Sequence, residues 1–413
     1  MFKKAKCRVK WKGTLGEVID SEYGVLQGGM LSPKLFTEFL TDLKDYLEAK
    51  SGMVIDDTIM TYILYADDLV LCSDSPSGLQ TLIDGLFKFC SKWHLIVSLA
   101  KTNVLIFGKS KHHEKFLFNN EEIKITDCYK YLGTIISTSS HDIYRKNYPH
   151  LAEKAKNAIF ALQTYTENNV GHLYPRLAFK MFDVQISPII EYASEVWFCN
   201  KENSELEKIH LGYMKSALKI KSTSSSLALY AECGRFPIFI KQKFQAIKYW
   251  QRIIKLDDQH IVKKAYKSLH QLQELGQINW CTHIKNVLSE IECEHIWEEQ
   301  TLENRGLGMI KEKLYKLHMD VCLENICDSE KNPKLRTYKR FKNEYKFETY
   351  LAENKNLNYT LSLLRFRISS HNLRIETGRH TKPHKTPVSE RICLYCNEHT
   401  VEDESHFIVK CSL

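Results

Sequence analysis

No apolar run in this chain is long enough to span a bilayer. Its first residues, Met1-Phe-Lys-Lys-Ala-Lys6, lack the apolar core of a secretory signal. No internal repeat with a period of roughly 20–50 residues is present, which excludes solenoids and propellers, and no low-complexity tract. The nucleotide loops are missing too. Phe107-Gly108-Lys109-Ser110 has the end of a Walker A loop, but Asn103 stands where its first glycine belongs, and no Gly-x-Gly-x-x-Gly follows a strand. The 13 cysteines are odd in number and show no framework spacing before the C-terminus. Free thiols in a reducing compartment follow. The expectation is an intracellular protein, nuclear or cytoplasmic, neither secreted nor bound to a membrane.

What is present is globular. At 413 residues, 43% hydrophobic and 26% charged, the chain can form two or three domains with their own cores. Its net charge of +8 fits a polyanionic partner. The most telling segment is Thr61-Tyr-Ile-Leu-Tyr65-Ala-Asp67-Asp68-Leu-Val-Leu-Cys72. Two β-prone runs flank a pair of carboxylates, so the spacing predicts a hairpin with the Asp pair at its turn. Neighbouring side chains of a strand point to opposite faces, so both carboxylates can reach one ion only where the backbone turns. Such a pair suits Mg²⁺, which takes oxygen ligands. Asp is also an ordinary turn residue, and the hairpin alone is compatible with a solvated turn.

Residues 7–26 read as a strand pair punctuated by Gly13 and Gly16. Ser32 and Pro33 then offer an N-cap and a first helical residue. Leu35, Phe36, Phe39, Leu40, Leu43 and Leu47 continue at helical spacing. A second helix is expected over 79–93, with strands at 95–97, 104–107 and 129–136. From about residue 142 helical periods dominate: 150–165, 174–196, 204–220, 239–256 and 262–275. Pro175 and Pro188 should break or kink the second of these. Residues 222–226 read as a polar connector, and residues 280–360 as helical.

Three segments stand in a fixed order: Gly24-Val-Leu-Gln27-Gly28-Gly-Met-Leu-Ser32-Pro33; Tyr65-Ala-Asp67-Asp68; and Trp93 through Lys101-Thr102, with Tyr131-Leu132-Gly133 behind it. Together they resemble the palm of a reverse transcriptase of the non-LTR, LINE-type retrotransposons. The first resembles motif B of that family, the second motif C, the third motifs D and E. Ile186 through Trp197 resembles its thumb. The resemblance implies an α/β, mixed α+β, partial palm over 1–137, followed by a mainly helical thumb-like region over 142–256. A helical region of unassigned role would span 257–360. It implies that Gln27, Gly28, Ser32, Pro33 and Tyr65 meet the template and the incoming deoxynucleoside triphosphate. Asp67 and Asp68 would hold Mg²⁺, and Lys101 would protonate the leaving pyrophosphate. Tyr131, Leu132 and Gly133 would support the primer. Ser98 stands where the family usually has Asn.

One departure stands out. The family's two-metal site needs a third carboxylate from motif A, upstream of motif B. Only 26 residues precede Gln27 here, and they hold a single Asp, Asp20, without motif A context. Asp56 and Asp57 lie downstream and read as a loop. The expectation is a chain truncated upstream of motif B, without fingers or endonuclease, beginning at a methionine internal to a longer reading frame and inefficient in DNA synthesis. A non-catalytic nucleic-acid-binding protein derived from such an element is the alternative.

The C-terminal segment, 361–413, is expected to be a basic stretch joined to a small metal module. Cys393-x₂-Cys396-x₉-His406-x₄-Cys411 has the donors and the knuckle spacing of a Zn²⁺ site. It is similar to the C-terminal Cys-Cys-His-Cys module of the same proteins. His399 is a substitute ligand in this reading. Residues 361–391 carry seven Arg and Lys against two Asp and Glu. Arg365, Arg367, Arg374 and Arg379, interleaved with Phe366, suit an RNA template, a DNA primer or target DNA. A solvated basic face is the other reading of that stretch.

Overall fold

The computed structural model describes residues 5–21, 24–25, 28–108, 115–138, 142–171, 173–199, 204–353, 356–381 and 383–412. The fold is mixed α and β, and its packing separates two compact units: Met1–Tyr129 with Thr138–Ser140, and Lys130–Ser137 with His141–Leu413. Among the described residues no helix is long and apolar enough to cross a membrane.

In the first unit, β1 (Ala5–Trp11) and β2 (Thr14–Ser21) form an antiparallel ribbon that turns at Lys12-Gly13. Helix α1 (Ser32–Phe39) follows, then a tighter 3₁₀ turn over Thr41–Asp45. The single helical period seen in the sequence is therefore split. Thr37 and Thr41 donate their hydroxyls to the carbonyls four residues back, at Pro33 and Thr37. Such back-bonding bends a helix. Hairpins β3 (Met53–Ile55) with β4 (Thr58–Met60), and β5 (Tyr62–Tyr65) with β6 (Asp68–Leu71), come next. Helix α2 (Pro76–Trp93) starts where Ser75 accepts from the Gly78 N–H at 3.1 Å. A three-stranded sheet ordered β7 (Asn103–Val104), β9 (Glu121–Ile125), β8 (Phe116–Phe118) completes the unit. Leu95–Val97 forms no strand, and only the start of the expected 104–107 strand does.

Leu82, Phe89 and Cys90 of α2 pack on Leu40, Leu43 and Leu47, with Tyr62, Leu64, Leu69 and Leu71 of the β5–β6 hairpin against the same core. The approach is close at Gly85, where a Cβ would lie 2.2 Å from the Tyr46 carbonyl oxygen. Gly85→Ala is therefore expected to destabilise this unit by about 1–3 kcal/mol, read as a lower urea midpoint. An unchanged midpoint would mean that the contact relaxes freely.

A last hairpin, β10 (Cys128–Tyr131) and β11 (Thr134–Ser137), leads into the second unit. Its helices are α3 (Asn147–Asn169), α4 (Pro175–Met181), α5 (Ser187–Ile190), α6 (Ser194–Trp197), α7 (Ser204–Ala217), α8 (Ser226–Glu232), α9 (Ile238–Ile254) and α10 (Ile261–Glu274). Then come α11 (Trp280–Glu290), α12 (Glu294–Glu299), α13 (Asn304–Cys327), α14 (Thr349–Glu353), α15 (Leu357–Arg367) and α16 (Arg374–Thr377). Pro175 opens α4 rather than breaking it, since a first-turn N–H has no helical partner to lose. Pro188 acts as the sequence implies: the chain widens into a π turn over Phe182–Ile186 before it.

Burial lowers the basicity of His150, His210, His283 and His318 in this unit, so their folded forms stay neutral below the ordinary imidazole value. Unfolding frees each to take up a proton. Stability is then fully present above the ordinary value of about 6.5 and lost as pH falls through the lower folded values. The urea midpoint of the second unit should be higher at neutral pH than near pH 5. A flat profile would contradict this.

Candidate functional site

The β5–β6 hairpin sets the Asp pair. Tyr65 pairs with Asp68 across the strands, leaving Ala66 and Asp67 as a two-residue turn, with Ala66 at φ 53°. Directly opposed residues share a face. Tyr62, Leu64, Leu69 and Leu71 face the core, so Tyr65 and Asp68 share the outer face with Ile63 and Val70. Tyr65 is 64% exposed, and both carboxylates are exposed. Among the described residues this sheet has two strands. Among the described residues no third Asp, Glu, His or Cys joins Asp67 and Asp68 in a ligand group. Asp20 sits on the β1–β2 ribbon opposite Lys6. Two exposed carboxylates suit one hydrated Mg²⁺ at most; this donor set does not fit a two-metal centre.

The other palm residues are placed as follows. Gln27 lies outside the described residues. Gly28 is exposed at φ 80°, open to close approach. The N-cap of α1 falls on Leu31, so Ser32 is already helical and buried, its N–H donating to Gly29 O at 3.1 Å, and Pro33 follows in the first turn. Lys101 is exposed in the turn after Ser98, and its carbonyl accepts the Tyr129 hydroxyl at 3.0 Å. Tyr131, Leu132 and Gly133 belong to the second unit. Leu132 and Gly133 make the tight β10–β11 turn, at φ 44° and 85°. There the Tyr192 hydroxyl donates to Leu132 O at 2.7 Å, and a Cβ on Gly133 would meet the Tyr192 ring at 3.0 Å.

At the C-terminus the structure brings four donors together. The sulfurs of Cys393, Cys396 and Cys411 and an imidazole nitrogen of His406 all lie within 4.8 Å of one another. A tetrahedral zinc with bonds of about 2.0–2.3 Å needs ligand-to-ligand edges of about 3.3–3.8 Å, and the Cys396 Sγ to His406 Nε2 separation is 3.3 Å. An antiparallel bridge, Ile392 with Val401, frames the knuckle. The Tyr395 N–H above all, aided by His406 and Cys396 against desolvation, pulls the Cys393 thiol down to about 7, which favours the thiolate a metal needs. His399 stands outside the group, at φ 48°. Two supports of His406 do not follow from ligand spacing alone. Thr400 Oγ1 lies 2.9 Å from His406 Nδ1, and Asp403 accepts the His406 N–H at 2.8 Å. The signal was there as Thr400-x₂-Asp403-x₂-His406, a short polar run ending on a ligand.

Three of the arginines ahead of this module, Arg365, Arg367 and Arg379, have their guanidinium groups tied into the chain. Arg365 Nε donates to Lys219 O at 3.0 Å. Arg367 Nε donates to the buried Glu232 at 2.5 Å, and its guanidinium stacks 4.3 Å from the Phe341 ring centre. Arg379 pairs with Glu376 at 3.2 Å, and the backbone N–H of Arg374 donates to Glu402 at 3.1 Å.

Residues 2–136 match the family described as "Reverse transcriptase (RNA-dependent DNA polymerase)". A putative uncharacterized transposon-derived protein of Caenorhabditis elegans is 25% identical over 164 residues, covering 38% of this chain and 56% of its own length. The Pol polyprotein of the type-1 retrotransposable element R2 from Nasonia vitripennis is 28% identical over 149 residues, 33% of this chain and 14% of that protein. The R2DM polyprotein of Drosophila melanogaster is 35% identical over 120 residues, 27% of this chain and 11% of that protein. The chain thus spans about half of the first relative and a small part of the other two.

Proposed function

We propose that this chain, whose residues 2–136 are a reverse-transcriptase segment of the non-LTR retrotransposon kind, acts in these 413 residues as a nucleic-acid-binding protein rather than as an RNA-directed DNA polymerase. One observation carries the reading: Asp67 and Asp68 stand exposed on a two-stranded hairpin, with no third carboxylate grouped with them among the described residues. In-line nucleotidyl transfer uses two ions about 3.5–4 Å apart, one on the attacking and one on the leaving oxygen. A second reading, a working polymerase, is favoured by the ordered motifs. In it Gln27, Gly28, Ser32, Pro33 and Tyr65 would meet RNA template and deoxynucleoside triphosphate, Lys101 would serve as general acid, and Tyr131, Leu132 and Gly133 would hold the DNA primer.

Zinc belongs to the first reading. Cys393, Cys396, His406 and Cys411 would hold one ion with four protein ligands, closing the coordination shell. Its part is then to hold the fold together rather than to catalyse. The partners of this reading are RNA and primer or target DNA, bound mainly through phosphates. The 413-residue chain should bind single-stranded RNA about a hundredfold or more tightly at 50 mM than at 200 mM salt, because each phosphate contact releases counterions. Salt-independent binding, or none, would overturn it.

A further inference from the structure

The connector at residues 222–226 is more than a spacer. It follows α7, and its Ser222 and Thr223 are exposed while Ser224 is buried. Two hydrogen bonds fix it: Ser224 Oγ to Ser370 Oγ at 2.8 Å, and the Lys221 N–H to the same Ser370 oxygen at 3.1 Å. Three ammonium groups lie around this turn: those of Lys215 and Lys334 donate to its carbonyls, and that of Lys221, at its start, reaches across to His371. Lys215 Nζ donates to Ser222 O at 2.7 Å, Lys334 Nζ to Thr223 O at 3.1 Å, and Lys221 Nζ to His371 O at 2.6 Å.

We propose that Lys215, Lys221 and Lys334, gathered around the exposed Ser222-Thr223 turn, form a binding surface for the phosphodiester backbone of a nucleic-acid strand. The proposal rests on the nucleic-acid-binding reading above and names its surface. An ammonium has three donors, and a carbonyl takes one, so each lysine keeps N–H groups for phosphate oxygens. The local charge is unbalanced. Lys334 has Glu376 at 3.9 Å, but Arg336 and Arg379 already engage that carboxylate at 2.7 and 3.2 Å. Burial above all lowers the basicity of Lys334; Glu376 opposes it, while Arg379, Lys221 and Arg336 add to it, and Lys215 is lowered by burial and by Lys334 in turn. An anion seated on the turn relieves that repulsion. The exposed Ser222 and Thr223 add neutral donors beside the charges, and the anchoring to Ser370 fixes the turn whose carbonyls hold Lys215 and Lys334. A phosphorylated peptide would use the same donors. The overall charge of +8 and the reverse-transcriptase segment favour a nucleic-acid strand.

The test uses the full chain and a labelled single-stranded RNA, with affinity measured across salt. Replacing Lys215, Lys221 and Lys334 together by Gln should lower the slope of log affinity against log salt by about 2, at about 0.7 per lost contact. Affinity at 50 mM salt should fall about tenfold or more. Replacing all three by Arg should keep both. Removing three exposed lysines elsewhere in the same unit, Lys208, Lys248 and Lys285, should leave the slope nearly unchanged. An unchanged slope in the Gln variant, or an equal loss in the control, overturns this surface while wild-type binding still supports the reading above. If wild type shows no salt-dependent binding, both fall. Should the triple Gln variant lose its helical circular dichroism, the exposed Lys221→Gln change alone decides, with an expected slope change of about 0.7.

Discussion

Removing zinc, by a chelator or by Cys396→Ser, is expected to unfold the segment around residues 391–411 and to leave the β5–β6 hairpin intact. Buried Glu402 and Glu404 tie its middle to Ile375, Arg336, Ser369 and His371, but the loop of Cys393 to Cys396 and the last turn before Cys411 have little else to hold them. Leu394, Tyr395, Phe407, Ile408 and Val409 are all more than half exposed, so its large side chains mostly face water rather than a core. Its backbone bonds are few, among them Cys393 N–H to Thr400 O at 2.9 Å and Cys411 N–H to His406 O at 2.8 Å. A closed zinc site contributes about 10–16 kcal/mol of apparent binding energy in small zinc-dependent folds, far more than such bonds supply. Hydrogen exchange should show protection at Cys393 and Cys411 vanishing without metal, while the Cys72 amide, bonded to Thr61 O beside the Asp hairpin, stays protected. Elemental analysis should find one zinc per chain. No zinc, or unchanged protection after chelation, would mean the four donors meet without a metal.

Glu232→Gln should destabilise the second unit by about 3–5 kcal/mol, the usual cost of breaking a buried ion pair on one side. This carboxylate is fully buried. It accepts the hydroxyls of Tyr338 and Tyr350 at 2.8 and 2.7 Å and Arg367 Nε at 2.5 Å, with the Lys342 ammonium 3.6 Å away. Lys342 is itself 3% exposed and also contacts Glu348. The amide would leave Lys342 and Arg367 sharing Glu348 alone, with the Lys342 ammonium itself buried. Restoring neutrality with Glu232→Gln and Lys342→Met together should recover part of the loss, because the uncompensated charge then disappears. Urea midpoints of the single and double variants decide it. A single variant as stable as wild type would show that Glu232 is dispensable to the charge balance.

The sequence carried local information well and distant pairing poorly. The Asp hairpin was legible because two β-prone runs flank a short polar turn. Helix α2 was legible because Leu82, Leu86, Phe89 and Cys90 recur on one face. The break near Pro188 was legible because proline removes a donor wherever it sits. The run of arginines was not decided by its own residues. Arg367 finds Glu232 135 positions away, and Arg365 finds a carbonyl 146 positions away. No periodicity announces such partners. In the same way residues 222–226 read as a bare connector, since Lys334 comes from more than a hundred positions downstream. The grouping of Cys393 and Cys396 with His406 and Cys411 was legible from spacing, while the contacts of Thr400 and Asp403 with His406 were not.

The proposal that matters most is that Asp67 and Asp68, with no third carboxylate grouped with them among the described residues, do not complete a nucleotidyl-transfer centre. The direct measurement is primer extension on primed RNA with Mg²⁺ and all four deoxynucleoside triphosphates, using the purified full chain and its Asp67→Ala variant. The expected result is no template-dependent extension by either protein, with RNA binding equal in both. Robust extension by the wild type that disappears in Asp67→Ala would contradict the account, and would mean that another residue supplies the missing ligand.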